Sequence, residues 1–336
     1  MLYKILPLFI PFSGCKDICL YCNQEDITGN TENNNLSNLK EQLHCYLDKN
    51  IQWNEIAIYG GTFTGLSQSL QIELLTYLSE HVPDLPIRIS TRPDYIDIDT
   101  LKILKQYNVK TIELGIQSMA ENVLLSNNRF YSEKVVIKSM KDIIDNSFTL
   151  GVQIMCGLFN EQISDYIYTV NTLKNLTFSY VRIYPTIVLK NTQLEELFRN
   201  KKYTPLSIVE AISYCAYGFI KFLSSGKNII RMGLHNSRIL EDSIVAGPYH
   251  KSFGDVVKIY ILFLYLLKRY RIIIGENDRS LIFGYSGFIN KLFTNKITIS
   301  NKKRTNWTII CETLENEDNF WILKEQTDLF EKEFFN

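Results

Sequence analysis

Cys15, Cys19 and Cys22 stand within eight residues at CxxxCxxC spacing, and thiols grouped this tightly suit a metal centre. Three thiolates on one short loop can hold three irons of a cubane [4Fe–4S] cluster, whose sites favour thiolate ligands. The fourth iron then has no protein ligand, and an open coordination position is what activation of a small molecule at a metal requires. Zinc is the competing reading. A structural zinc site needs a fourth ligand at a usual spacing, and the next Cys or His is His44-Cys45, inside a predicted helix. A dithiol redox pair would use two cysteines and leave the third unexplained. The spacing favours the cluster.

Two neighbouring features could complete a ligand site. Tyr21 directly precedes the third cysteine, where its ring could pack beside a flat ligand or simply fill the core. The run Tyr59-Gly60-Gly61-Thr62-Phe63-Thr64-Gly65 follows a predicted strand. Paired glycines let a backbone approach a ligand closely, and the C-terminal end of a barrel strand is where such enzymes place their chemistry.

The elements that must carry these loops follow a repeating pattern. Short apolar runs at 3–10, 55–59, 87–90, 111–115, 150–155 and 181–185 read as strands buried on both faces. Between them lie helical stretches near 37–49, 67–80, 98–107, 132–146 and 163–175, with Asp97 or Asp99 and Ser132 as candidate caps. Strand–helix alternation at this spacing implies parallel strands joined by right-handed crossovers. The expected fold is α/β: a partial (β/α)6 TIM-type barrel over residues 1–229, with an α+β appendage over 230–336. The appendage holds a basic patch of Lys291, Lys296, Lys302, Lys303 and Arg304, read as a solvated face.

Bulk properties narrow the function classes. Among 336 residues, 36 Lys+Arg balance 36 Asp+Glu, so no net positive charge calls for a nucleic-acid partner. Seven cysteines, an odd number with three clustered, do not suit a secreted disulfide framework. Cys45, Cys156, Cys215 and Cys311 read as small buried hydrophobes. Prolines at 7 and 11 would break a signal helix, and the apolar run Ile259–Leu267 is too short to span a bilayer. A cytoplasmic protein without a membrane partner is expected.

Taken together, the motifs resemble the radical SAM superfamily, whose members use S-adenosylmethionine (SAM). More closely, they are similar to small relatives of the elongator-type tRNA-modifying subunit that lack its acetyltransferase domain. The matching segments are GCKDICLYCNQ (14–24), YGGTFTG (59–65), STRPDYID (90–97), ELGIQS (113–118), NNR (127–129), GVQIMCGL (151–158) and VRIYPTIVLKNTQLEEL (181–197), followed by MGLH (232–235) and VAGPYHKSFGDVV (245–257). The resemblance implies a [4Fe–4S] cluster on Cys15, Cys19 and Cys22. Gly60, Gly61 and Thr62 would hold the methionyl end of SAM, with Tyr21 by its adenine. Glu113 and Gln117 would face the SAM ribose or the substrate, and Arg129 and Arg182 would pair with carboxylates. Arg92 and Tyr184 would line the mouth; for Arg92 and Gln117 a loop-structuring role is the equal alternative. His235 and His250 would be substrate contacts. An electron donor such as flavodoxin or ferredoxin is implied, and RNA is the substrate class suggested.

Two loops depart from the family pattern. Phe130-Tyr131 replace Gly-His after NNR, and Phe159-Asn160 replace Pro-Gly after Gly157-Leu158. Both departures bear on the substrate. The alternatives are a porphyrinogen-type oxidative enzyme, whose further cysteine is replaced here by Asn23-Gln24, and a non-catalytic iron–sulfur module.

Overall fold

A strand covered on both faces must be apolar along most of its length, and the central strands of this chain obey that rule. The computed structural model describes residues 3–10, 14–23, 36–49, 51–268, 270–301, 304–315 and 324–335. Its main sheet has seven strands, lined up in chain order: Ile5–Phe9 (β1), Glu55–Tyr59 (β2), Ile87–Thr91 (β3), Val109–Gln117 (β4), Thr149–Cys156 (β5), Tyr180–Pro185 (β6) and Asn228–Met232 (β7). Every neighbouring pair is parallel. Helices Leu36–Leu47 (α1), Gln68–His81 (α2), Ile98–Gln106 (α3), Glu133–Asp145 (α4), Ile163–Lys174 (α5) and Ile208–Ser224 (α6) supply the crossovers. Local chemistry marks their starts. The Asp97 side chain accepts the Thr100 amide at 2.8 Å, and Ser207 with Glu210 forms a reciprocal capping box on α6. Ser132 stands at the start of α4 but makes no capping bond.

Contacts inside the sheet show that it curls. Tyr180 on β6 meets Arg88 on β3 at 2.8 Å, although a flat sheet would hold strands three places apart at roughly 14 Å. Arg182 on β6 likewise reaches Tyr59 on β2 at 3.2 Å, four places away and about 19 Å in a flat sheet. The sheet is therefore an open partial barrel, with β1 and β7 as its edges.

β7 adds a seventh parallel strand to the six expected, pairing with β6 from Tyr180↔Asn228 to Ile183↔Met232. The expected boundary between residues 229 and 230 falls inside it. Residues 228–255 read as holding a short strand, but periodicity does not show that it joins the main sheet, because β7 is half-exposed at the sheet edge and lacks a continuous apolar run. Beyond it, the apolar helix Phe253–Leu267 (α7) is buried against α6, and Trp307–Glu315 (α8) packs on the same helix. Glu315 clamps the join by accepting from Lys174 and Lys221, both at 3.1 Å. Lys302 and Lys303 of the basic patch lie outside the described residues, and Lys296 donates to the Leu266 carbonyl at 2.7 Å. No described helix is long and apolar enough to cross a membrane.

One glycine makes the lumen possible. The Tyr180 ring lies across Gly151 on β5, and a Cβ there would collide with two carbons of the ring and with its phenol oxygen. Gly151→Ala should therefore cost about 1–3 kcal/mol by overpacking, read as a lower urea midpoint with an unchanged slope.

Candidate active site

The cysteine loop is a turn with little regular structure, so other elements must hold it. The first contact is backbone on backbone. Gly14, at φ 74°, lies against the turn after β2, and a Cβ on it would fall onto the Thr62 carbonyl oxygen. Gly65 faces it reciprocally, its own Cβ position filled by the Gly14 carbonyl. Further bonds come from the C-terminal ends of β3, β4 and β6. Tyr95 accepts the Lys16 amide at 3.2 Å, and Arg92 donates to the Asp17 carbonyl at 3.2 Å. Asn128 donates to the Ile18 carbonyl at 3.0 Å, Asn23 to the Lys190 carbonyl at 2.8 Å, and the Leu194 amide to the Leu20 carbonyl at 2.8 Å. The loop thus hangs over the barrel mouth.

All three cysteines lie outside any disulfide and are half-buried. Cys15 Sγ lies 3.1 Å from Thr62 Oγ1, Arg129 donates to Cys19 Sγ at 3.2 Å, and the Cys22 amide turns back to the Cys19 carbonyl at 3.0 Å. Among the described residues, no three His, Cys, Asp or Glu side chains converge as a single metal ion requires. A zinc ion with bonds near 2.3 Å needs such convergence, whereas a cubane offers each thiolate its own iron. His44, the nearest zinc alternative in sequence, is committed to Tyr77 OH at 3.2 Å on the helical layer. The donor set therefore fits a cluster. Cys156, Cys215 and Cys311 are fully buried as expected, but Cys45 is exposed on α1.

Below the loop, the lumen holds a chain of alternating charges. Glu55 meets Arg88 at 2.6 Å, Arg88 meets Glu113 at 2.6 Å, and Glu113 meets Arg182 at 3.1 Å. Glu113 is 0 % exposed and has a partner on each oxygen, Oε1 also accepting from Tyr180 at 3.0 Å and Oε2 from Gln153 at 2.8 Å. Burial alone would raise its carboxyl, but the Arg182 and Arg88 charges outweigh that and hold it below its usual range. Arg182, expected to pair with a carboxylate, spends its guanidinium on Glu113 and Tyr59. Burial pushes the Tyr59 phenol up to about 12, so it stays a neutral hydrogen-bonding group.

The remaining expected residues also have observed positions. Gln117 ends β4 at φ 69°, an uncommon conformation for a residue with a side chain, beside a register shift of the ladder. Among the described residues, its Oε1 is buried without a partner, as is the Thr186 hydroxyl just after β6. Orphaned acceptors at the strand ends are what a donor-rich ligand such as SAM would satisfy. The loop after β2 offers a matching approach, since Gly60 sits at φ 94°. Tyr21 is wedged between two apolar groups, one with Leu20, Val188 and Leu194, the other with Ala120, Val123 and Leu158. Arg92 forms a two-pronged pair with Asp94 at 2.8 and 2.9 Å. Tyr184 is half-buried on β6, and burial raises its phenol. His250 accepts the Ser252 amide at 3.1 Å at the entry to α7, and His235 is half-buried in the loop after β7.

Both departures from the family pattern keep local order. Asn160 takes φ 60°, and Asn tolerates this region better than other residues with side chains, so the turn survives without glycine. Glu161 braces the turn by accepting the Gly157 amide at 2.6 Å, while its Oε1 is buried without a partner. Burial pushes the Glu161 carboxyl up to about 8. Tyr131 is buried and accepts from Arg129 at 2.7 Å, whereas Phe130 is 59 % exposed. Away from the cysteine loop, segments 232–235 and 250–257 help to line a cavity of about 380 Å³, with Arg231 and Lys258 at its wall.

Comparison with known proteins agrees with this geometry. The pattern of the radical SAM superfamily matches residues 9–173, and that of the radical SAM C-terminal domain matches 178–261. The chain belongs to the radical SAM superfamily. Elongator complex protein 3 of Dictyostelium discoideum is 28% identical over 193 residues, covering 50% of this chain and 34% of that protein. The heme chaperone HemW of Bacillus subtilis is 26% identical over 217 residues, covering 62% of this chain and 57% of its own. The chain spans from about a quarter to about three fifths of the length of the curated relatives it matches. The solved structure of Methanocaldococcus infernus Elp3 with an N-terminal deletion superposes with a TM-score of 0.57 at 18% identity, over 78% of this chain and 64% of that one. It shares the fold. Radical SAM proteins as a family use a [4Fe–4S] cluster with SAM, and the second domain match starts at the turn into β6, so the β6–β7 edge and α7 continue the radical SAM architecture.

The two buried carboxyls predict opposite pH dependences. Glu113, lowered in the fold, stabilises fully above its unfolded value near about pH 4.3, and this contribution is lost as pH falls through the folded value. Glu113→Gln should remove that acid-side component and cost about 3–5 kcal/mol, because Arg182 loses its carboxylate. Glu161, raised in the fold, favours the folded state most below about pH 4.3, and that advantage is lost as pH rises through about 8. Glu161→Gln should flatten this alkaline-side decline. Urea unfolding at stepped pH values reads both.

Proposed function

We propose that this chain is a radical SAM enzyme that holds a [4Fe–4S] cluster on Cys15, Cys19 and Cys22 and binds SAM beside it at the barrel mouth. One observation carries this reading: three cysteines outside any disulfide share a loop pinned over the C-terminal strand ends, in a chain whose family uses that pair of cofactors. When bound, the reduced cluster supplies the electron that cleaves SAM and releases a 5′-deoxyadenosyl radical able to abstract hydrogen from a substrate. The chain's own residues bind and orient. Gly60, Gly61 and Thr62 present backbone to the methionyl end, and Gln117 offers its free acceptor to a ribose hydroxyl. Glu113 is a positioning residue, holding Arg182 and Tyr180 across the lumen so that the floor of the site is rigid and dry. Tyr21 buttresses the cysteine loop against the loops after β4, β5 and β6.

RNA is the substrate class we carry over from the likeness to elongator complex protein 3, and a flavodoxin or ferredoxin is the class of electron donor. The likeness to the heme chaperone HemW supports a second reading, in which the barrel carries heme and performs no turnover.

Anaerobic reconstitution, reduction with dithionite and assay for 5′-deoxyadenosine test the proposal. Wild-type protein should release the product, and Cys19→Ala should lower it at least about 100-fold through loss of the cluster. Equal cleavage by Cys19→Ala would sink the cluster assignment. A Soret shift on hemin titration, with no 5′-deoxyadenosine from fully loaded protein, would favour the carrier reading.

A further inference from the structure

Four arginines crowd the lumen and mouth, and three of them have a carboxylate. Arg88 has Glu55 and Glu113, Arg92 has Asp94, and Arg182 has Glu113. Arg129 differs. It is 3 % exposed, and among the described residues it forms no ion pair with a carboxylate. Its Nε donates to Tyr131 OH at 2.7 Å, its Nη2 to the Gly115 carbonyl, and its Nη1 to Cys19 Sγ at 3.2 Å. Tyr131 OH passes the bond on to the Ile116 carbonyl at 3.2 Å, and its ring lies between two guanidiniums, 5.2 Å from that of Arg129 and 5.6 Å from that of Arg92. A buried cation without a counter-anion is strongly destabilising. Within the described chain Arg129 instead meets the Cys19 sulfur, which is a thiolate ligand when a cluster is bound, and the cluster's negative charge grows by one electron on reduction.

We propose that Arg129 is a redox-tuning residue, locked by Tyr131 and Gly115 so that its guanidinium hydrogen-bonds the Cys19 sulfur and favours the reduced cluster. This rests on the cluster reading above and deepens it. Hydrogen bonds to ligand sulfurs and nearby charge are established determinants of iron–sulfur potentials. The step is a one-electron transfer from a low-potential one-electron donor into the cluster; no protein bond breaks and no proton moves. The same geometry explains the departure at Phe130-Tyr131: the phenol supplies a buried acceptor for Nε and a donor for the β4 carbonyls, and Phe130 is turned outward.

The test is a redox titration of reconstituted full chain without SAM, read by cluster absorbance and electron paramagnetic resonance, beside equilibrium SAM binding and iron and sulfide content. Dithionite-poised mediators serve as the donor. At the potential that half-reduces the wild type, Arg129→Gln should lower the ratio of reduced to oxidised cluster about tenfold, a shift of about 59 mV for one electron. Arg129→Lys should restore part of it, and Tyr131→Phe should give a smaller shift of the same sign with SAM affinity unchanged. Unchanged potentials in Arg129→Gln, with weakened SAM binding, would overturn the inference and return Arg129 to a carboxylate partner of the ligand. If Arg129→Gln fails to fold, Tyr131→Phe decides alone, an unmoved potential counting against the inference. A wild type that takes up no cluster would instead defeat the underlying reading.

Discussion

The Glu113 carboxylate sits in the middle of the curled sheet, 0 % exposed, and four side chains from three other strands converge on it. Taking a carboxylate and two guanidiniums out of water is costly, and only their mutual attraction with full hydrogen bonding offsets it. Arg88 reaches Glu113 from β3, Gln153 from β5, and Tyr180 and Arg182 from β6. Arg88 and Gln153 lie on the strands either side of Glu113, while the Tyr180–Arg88 contact across three strands is met only when the sheet curls. The network therefore ties the curvature of the barrel to one buried charge, and the curvature is what gathers the strand ends around a single mouth.

On that mouth, the cysteine loop is seated by contacts of two kinds. Gly14 and Gly65 bring two turns together backbone to backbone, where any side chain would intrude. Arg92, Tyr95, Asn128 and Asn23 then bond the loop to turns that follow β3, β4 and β6. A loop with so little regular structure keeps its thiols in place because its polar backbone is spoken for on several sides.

Polar groups near the loop divide by what they lack. Arg92 and Arg182 are neutralised within the chain, so they act as scaffold before they act on any ligand. Among the described residues, Gln117 and Thr186 have buried oxygen atoms with no partner, and the Arg129 guanidinium meets a cysteine sulfur rather than a carboxylate. The second kind of residue points to what the site receives. Phe130 and Asn160, where the family pattern breaks, change the rim of the mouth while Tyr131 and Glu161 hold the underlying turns.

The three cysteines, the glycine-rich turn and the six apolar strand runs were legible from residue order alone, because ligand spacing, turn chemistry and periodicity are local properties. So were the Asp97 cap and the helices between the strands, each set by neighbours within a few positions. A short strand after residue 228 was legible too, but its place beside β6 in the main sheet was not, because an edge strand needs no continuous apolar run and its pairing is set in space. The role of Gly14 escaped because its partner, Gly65, lies about fifty positions along the chain. Glu113 and Arg182 were visible as charges in motifs, but their pairing was not, since 69 positions separate them and only the strand order sets β4 and β6 on either side of β5. The same holds for the cysteine loop with which the sequence reading began. Residue order identified the thiols and the cluster they suit; tertiary contact decided that Thr62 would lie beside Cys15 and Arg129 beside Cys19, because hydrogen bonds depend on proximity in space.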